Sequence, residues 1–281
     1  MTVSATRAGI AALVLAAGAA ADHVLRRPPA YEVYAVRYAT LPGFPARGLI
    51  AGADTGRRLD IAMMVWLIKG NGRTVLVDAG FYRDKFLQRW KPADFVRPSE
   101  AVARAGVRAE DVTDIILSHV HWDHADGLDL FPNARVWIQR DEYRHHIGAN
   151  GEVLDRAIDP DDARMLATLA ARGRVSEVAG DSTEIIPGIT VFTGGRHTFA
   201  SQYVTVQAAA GTVVIASDNL YLYENLDRRR PIAQTLDSLS NLRAQERMAR
   251  LASAPRLIVP GHDPAVFVRF GEPGNGVARI E

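Results

Sequence analysis

Histidine is scarce in this chain, yet three of its eight histidines fall within the six positions His119-Val120-His121-Trp122-Asp123-His124, with an aspartate among them. The stretch follows a short apolar run, Asp114-Ile115-Ile116-Leu117, which reads as a buried strand. Side chains two apart on an extended strand end point the same way, so His119 and His121 can close on one cation. Asp123 and His124 fall where the chain must turn and can face a second. Imidazole and carboxylate are the donors that zinc and similar divalent ions accept. The bland alternative is a polar strand end with its histidines in solvent, and the density of the cluster weighs against it.

Three further apolar strands end on residues of the same chemical type. His197 lies in Gly194-Gly195-Arg196-His197-Thr198 after the strand Ile189 to Thr193. Asp218 closes the strand Thr212 to Ser217, and His262 follows the strand Arg256 to Val259. Singly, each is an ordinary loop residue. Together with the cluster they supply enough donors for two ions.

The elements that must hold these residues follow from pattern. Tyr31 to Tyr38 alternates as a strand does, and Leu41 to Arg58, carrying Pro, Gly and Asp, reads as a long loop. Ile61 to Ile68 is continuously apolar, as a strand buried on both faces would be, and Gly70-Asn71-Gly72 turns it into Thr74 to Asp78. Ser99, just after Pro98, can cap a short helix. Ala134 to Ile138 is a strand, and Asp161-Asp162 opens a helix with Met165, Leu166 and Leu169 on one face. Ile185 to Thr193, Tyr203 to Ala208 and Thr212 to Ser217 are three more strands, and Leu236, Leu239 and Leu242 begin a late helix. Strands in two runs, each with helices attached, predict two packed sheets with helices outside. No repeat or linker interrupts the chain, so residues 30–281 read as a single domain.

Composition narrows the function classes. At 281 residues, with 48% hydrophobic and 23% charged residues, the chain can build a sizeable core. A formal net charge of +1 offers no case for nucleic acid or an anionic membrane. With no cysteine there are no disulfides, thiolate ligands or cysteine nucleophile. No Gly-x-Ser-x-Gly elbow supports a serine hydrolase. At the amino terminus, Arg7, the apolar run Ala8 to Leu15 and the small residues Ala19-Ala20-Ala21 have the layout of a secretory signal within residues 1–22. Cleavage there implies a periplasmic or secreted protein; the alternative is an alanine-rich surface helix retained in a cytoplasmic one. The run is too short for stable membrane insertion.

His119-Val120-His121-Trp122-Asp123-His124, followed by His197, Asp218 and His262, resembles the metallo-β-lactamase superfamily in order, spacing and strand-end placement, from about Tyr31 onward. The resemblance implies an α/β four-layer αββα sandwich holding two divalent metal ions, zinc foremost, between the loop ends of two sheets. It implies that His119, His121 and His197 hold one ion, that Asp123, His124 and His262 hold the other, and that Asp218 bridges them. Asp78 is similar to the aspartate that orients a ligand imidazole in that family; as a residue before Ala79-Gly80 it also reads as a turn-former.

Within the superfamily, Ser217-Asp218-Asn219-Leu220-Tyr221 and the Glu224-Asn225 that follows are similar to the N-acyl homoserine lactone lactonases, where a tyrosine at this spacing points its hydroxyl at the substrate carbonyl. The alternative for Tyr221 is an ordinary loop aromatic. The resemblance thus implies a dinuclear-metal hydrolase that opens the lactone ring of N-acyl homoserine lactones (quorum quenching) by attack of a hydroxide held between the ions. It would make Tyr221 and Asp123 the catalytic residues and a small-molecule lactone or ester the partner, and it leaves a homodimer open. A glyoxalase-like thioesterase or general esterase on the same centre is the alternative, and a non-catalytic metal-binding protein a weaker one. The chain departs from that family at Arg196-His197-Thr198-Phe199-Ala200-Ser201, where a Pro-Gly turn and a second, non-ligand histidine are absent. The ligand histidine is kept there, and Arg196 and Phe199 become new elements of the substrate wall.

Overall fold

A computed structural model describes residues 1–2, 30–271 and 274–281. The apolar amino-terminal stretch, read above as a signal or a surface helix, lies within 3–29, outside the described residues.

The first strands form because their apolar residues serve two cores at once. β1 (Glu32–Pro45), β2 (Arg58–Gly70) and β3 (Arg73–Val77) make an antiparallel meander. Along β2, Ala62, Met64, Trp66 and Ile68 point to one face, while Ile61, Met63, Val65 and Leu67 point to the other. Both sets are buried, which is why the stretch shows no polar alternation. The β2–β3 turn has Asn71 at φ 52° and Gly72 at φ 70°, the left-handed pair that a tight hairpin demands.

β4 (Asp114–Ile116), β5 (Arg135–Gln139) and β6 (Val175–Val178) then add in parallel. Among the described residues a second sheet comprises β7 (Thr183–Ile186), β8 (Ile189–Thr193), β9 (Gln202–Ala208), β10 (Gly211–Ser217) and β11 (Ile258–Pro260), and β12 (Val277–Arg279) returns to the free edge of β1. β11 lies parallel to β10.

Three apolar layers separate four structural ones. Val33, Trp66 and Val77 of the first sheet meet Val191, Val204 and Ile215 of the second. Outside the first sheet pack α1 (Asp84–Trp90), α2 (Pro98–Ala103) and, further along the chain, the helix Pro160–Ala171 with Leu166 and Leu169 buried. Outside the second sheet, Ala244 and Met248 of the helix Ser238–Leu251 meet Phe192, Tyr203 and Val214. The arrangement is the expected αββα sandwich.

Several local expectations are corrected. Leu41–Pro45 is strand rather than loop: irregularities between Arg37 and Ala39 and between Leu41 and Phe44 keep β1 paired with β2 to its end. The segment Ile185 to Thr193 is a hairpin, broken at Pro187-Gly188 because proline cannot donate to the ladder. The short helix starts at Pro98 after Arg97 rather than being capped by Ser99, its proline taking the first turn, where a missing N–H costs nothing. The late helix begins at Ser238, capped by the Asp237 carboxylate accepting from Ser240 N at 3.0 Å, and Leu236 and Leu239 are exposed rather than on its buried face.

Every strand that ends in a candidate ligand delivers it to one rim. Gly127 lets the turn after the histidine cluster press against the β3 end: a Cβ there would lie 2.2 Å from the Ala79 carbonyl oxygen. Asp126, fully buried, accepts from Tyr82 N at 2.7 Å and Arg83 N at 3.0 Å and fastens the same turn. Gly127→Ala should therefore destabilise the fold by more than about 2 kcal/mol, read as a lower midpoint in urea at unchanged slope. An unmoved midpoint would show that the turn can shift freely.

Candidate metal centre

Seven side chains from both sheets converge at the rim. His119 and His121 extend from the end of β4, and α3 (Trp122–Ala125) turns Asp123 and His124 back toward them. His197 comes from the loop after β8, Asp218 from the end of β10 and His262 from just after β11. His119 Nε2 and His121 Nδ1 are 3.0 Å apart, and His121 Nδ1 lies 2.9 Å from His197 Nε2. Asp218 Oδ2 sits 3.7 Å from His119 Nε2 and 3.4 Å from His197 Nε2. The same oxygen is 3.3 Å from His124 Nε2, while Asp218 Oδ1 is 2.9 Å from His262 Nε2. Asp123 Oδ2 completes the second group, 3.6 Å from His124 Nε2 and 3.8 Å from His262 Nε2.

These spacings fit a pair of cations. A tetrahedral ion with bonds of about 2.0–2.1 Å sets its ligand atoms roughly 3.3 Å apart. Two sets satisfy this: His119, His121, His197 and Asp218, and Asp123, His124, His262 and Asp218. Asp218 is common to both. Despite these close approaches, His124 Nε2 and Asp218 Oδ1 are buried without a well-directed hydrogen bond, a cost that something else at the centre would have to offset.

The opposite ring nitrogens are fixed from behind. His197 Nδ1 donates to the Gln234 carbonyl at 2.7 Å and His262 Nδ1 to the Ala62 carbonyl at 3.1 Å, so their Nε2 lone pairs face the centre. His124 Nδ1 meets Asp78 Oδ2 at 2.8 Å, and His119 Nδ1 meets Ser118 Oγ at 2.9 Å. Asp78 is thus more than a turn-former. It is fully buried, and its carboxylate also accepts from Ser118 N at 2.8 Å, Ser118 Oγ at 2.9 Å and Ser217 Oγ at 2.8 Å.

Sequence reading missed a second buried carboxylate. Glu142, in α4 (Arg140–His146), accepts from Thr198 Oγ1 and Ala200 N at 2.6 Å and from Val120 N at 3.3 Å. It clamps the His197 loop to the histidine cluster. The segment Arg140–His146 has no apolar periodicity, so no pattern flagged it. Asn219 was missed as well: its amide Oδ1 accepts from Gly195 N at 2.8 Å and Ser201 Oγ at 2.9 Å. Its place directly after Asp218 was the only signal.

Charge is distributed unevenly. Burial, reinforced by mutual repulsion among the rings, holds His119 well below the ordinary imidazole range, and burial brings His121 and His197 to about 4. These rings are neutral donors at neutral pH. Burial also disfavours charge on Asp218, yet His124 and His262 outweigh it and hold its carboxyl well below the usual range. Burial likewise opposes a proton on His124 and His262, and the carboxylates around them prevail and raise both. The carboxylates at this end call for positive charge, which cations supply in place of protons.

Two cavity lobes meet at His121. One, of about 280 Å³, is lined by Leu41, Phe44, Trp90 and Trp122 on its apolar side and by Asp123 and Tyr221 at its floor. Trp122 stacks on Trp90 with centroids 5.3 Å apart and planes 6° from parallel, so this wall is preformed. The other, of about 350 Å³, runs past His197 to Phe199 and Leu236. The altered loop builds that wall: Phe199 lies flat on His145 at 3.9 Å.

The family model of the metallo-beta-lactamase superfamily matches residues 64–262. The chain belongs to the metallo-beta-lactamase superfamily. A curated relative, the N-acyl homoserine lactonase of Bacillus sp, is 27% identical over 225 residues, which is 74% of this chain and 84% of that protein. Among solved structures of the superfamily fold, an N-acyl homoserine lactone hydrolase with the product N-hexanoyl-L-homoserine bound at its catalytic metal centre superposes with a TM-score of 0.68 at 20% identity, over 84% of this chain and 94% of that one. AidC, a dizinc quorum-quenching lactonase in complex with its product, gives 0.64 at 15% identity, over 89% and 90%. At these identities the two structures establish the fold.

Asp78→Asn should lower affinity for divalent metal about 10–100-fold, because the amide replaces a charged acceptor behind His124 while leaving every candidate ligand in place. Competition with a chromogenic chelator on the folded variant measures this. Unchanged affinity would reduce Asp78 to a structural role.

Proposed function

We propose that this metal-dependent hydrolase opens the lactone ring of N-acyl homoserine lactones. The observation that carries the reading is Tyr221, whose hydroxyl reaches the floor of the aromatic-walled lobe, 3.3 Å from His197 Nδ1 and beside the shared Asp218. The fold and the curated relatives support the same class of reaction.

The residues that hold the two ions are, in this reading, His119, His121 and His197 for one, Asp123, His124 and His262 for the other, and Asp218 for both. Two divalent ions, zinc being well matched to the His/Asp donors, supply Lewis acidity and a water that ionises near neutral pH. Burial, with Asp218 and Asp123 nearby, raises the Tyr221 hydroxyl well above its ordinary pKa, so it stays protonated and can donate. It donates to the lactone carbonyl oxygen as negative charge builds there, while the oxygen of water bonds to the carbonyl carbon. The ring C–O bond then breaks. Asp123, at the same floor, relays a proton to the departing ring oxygen, giving a hydroxyl and a carboxylate.

The apolar acyl chain fits along Leu41, Phe44, Trp90 and Trp122, with Arg89 and Arg156 on the same lobe for polar parts of the substrate. Leu41 and Phe44 reach this wall because β1 continues through them, a placement that a free loop would not fix.

A pH-indicator assay of purified protein against short- and long-chain homoserine lactones tests the reading. Turnover should vanish with a chelator and return with divalent metal. Acyl thioesters hydrolysed faster than any lactone would shift the assignment to a thioesterase. Tyr221→Phe should lower kcat about 10–100-fold at unchanged metal content. Equal kcat would remove Tyr221 from the mechanism.

A further inference from the structure

A second group of metal-type donors lies outside the seven-residue centre, at the end of α4. Leu154 N donates to the His146 carbonyl at 2.9 Å and Ile147 bridges Val153, so the loop after α4 folds back and returns Asp155 to the helix end. There His145, His146 and Asp155 each present a donor atom within 4.8 Å of the other two. His146 Nδ1 is 3.3 Å from Asp155 Oδ1, and His145 Nε2 is 3.9 Å from Asp155 Oδ2.

His146 is the independent sign that something is to be bound. It is 2% exposed, and neither ring nitrogen has a hydrogen-bond partner. An imidazole so placed forfeits the hydrogen bonds it had in water. Its Nε2 faces Glu142 Oε1 at 3.6 Å, while Nδ1 looks toward the Asp155 carboxylate and the second cavity lobe that all three residues line. Asp155 is held in place by Ala157 N, which donates to its Oδ1 at 2.9 Å. His145 and Asp155 are the exposed members, with 38% and 45% of their side chains accessible.

We propose that His145, His146 and Asp155 form a third metal site, for a divalent transition ion, sharing no ligand with the dinuclear centre. Two imidazoles and one carboxylate select zinc, copper(II) or nickel over calcium or magnesium, which favour all-oxygen sets. Three protein donors leave a coordination position open toward the lobe. With two of its three donors exposed and no bridging carboxylate, this site binds more weakly than the buried pair. Glu142 links it to the catalytic side, since the same carboxylate clamps Thr198 and Ala200 next to His197.

The test is metal stoichiometry, which is independent of any substrate. Full-length protein is stripped with chelator, equilibrated at buffered free zinc raised in steps, and its bound zinc measured by elemental analysis. Wild type should saturate at three ions per chain, the last with the weakest affinity. His145→Ala and Asp155→Asn, chosen because both positions are exposed and the variants should fold, should each weaken the third ion at least about tenfold while retaining the tight pair. Thermal melts confirm that they fold. Fewer than three ions in wild type, or a third that keeps its affinity in either variant, overturns the site. Because turnover is never read, failure here is separate from failure of the lactonase assignment.

Discussion

One buried carboxylate organises the rim. Asp78, at the end of β3, accepts from Ser118 at the end of β4, from Ser217 at the end of β10 and from His124 in the turn between the candidate ligand sets. Those contacts cross from one sheet to the other. A lone carboxylate without solvent is costly, and four donors offset that cost only if all three strand ends and the turn arrive together. Correct docking of the sandwich and correct aim of the imidazole are therefore the same event. Asp78 itself adopts φ 62°, a backbone strain that this web of contacts sustains.

The rest of the centre follows the same economy, in which three more candidate ligand rings are held by groups that need no water. Backbone carbonyls of Gln234 and Ala62 serve His197 and His262, and Ser118 serves His119. Glu142 and Asn219 secure the loop that carries His197. Between them they fasten the Arg196–Ser201 loop on both sides of His197, at Gly195, Thr198, Ala200 and Ser201. Its Phe199 is then free to shape the second lobe.

Much of this was legible in the sequence, for physical reasons that differ by feature. The two-faced burial of β2 removes polar alternation, and the absence of alternation was itself the signal. The hairpin at Asn71-Gly72 was readable because few residues tolerate two successive left-handed conformations. The candidate ligands were readable because histidines are few and their spacing is short. Glu142 and Gln234 were not readable, since one sits on a helix without periodicity and the other acts through its backbone. The strand at Leu41–Pro45 was hidden by Pro and Gly, which a paired, bulged strand accommodates. Exposed Leu236 and Leu239 misled for the opposite reason: leucines at helical spacing suggest a buried face, and here both face outward, Leu236 at the edge of the second cavity lobe.

The His262 loop is tied to β2 in both directions, with Ala62 N donating to the His262 carbonyl at 2.9 Å and the His262 ring returning a hydrogen bond to the Ala62 carbonyl at 3.1 Å. This staple joins positions two hundred residues apart in sequence. The earliest imidazoles emerge from the ribosome long before the carboxylate and the last ring that complete their company. Each candidate set takes members from both sheets, so neither set can close before the two sheets have docked.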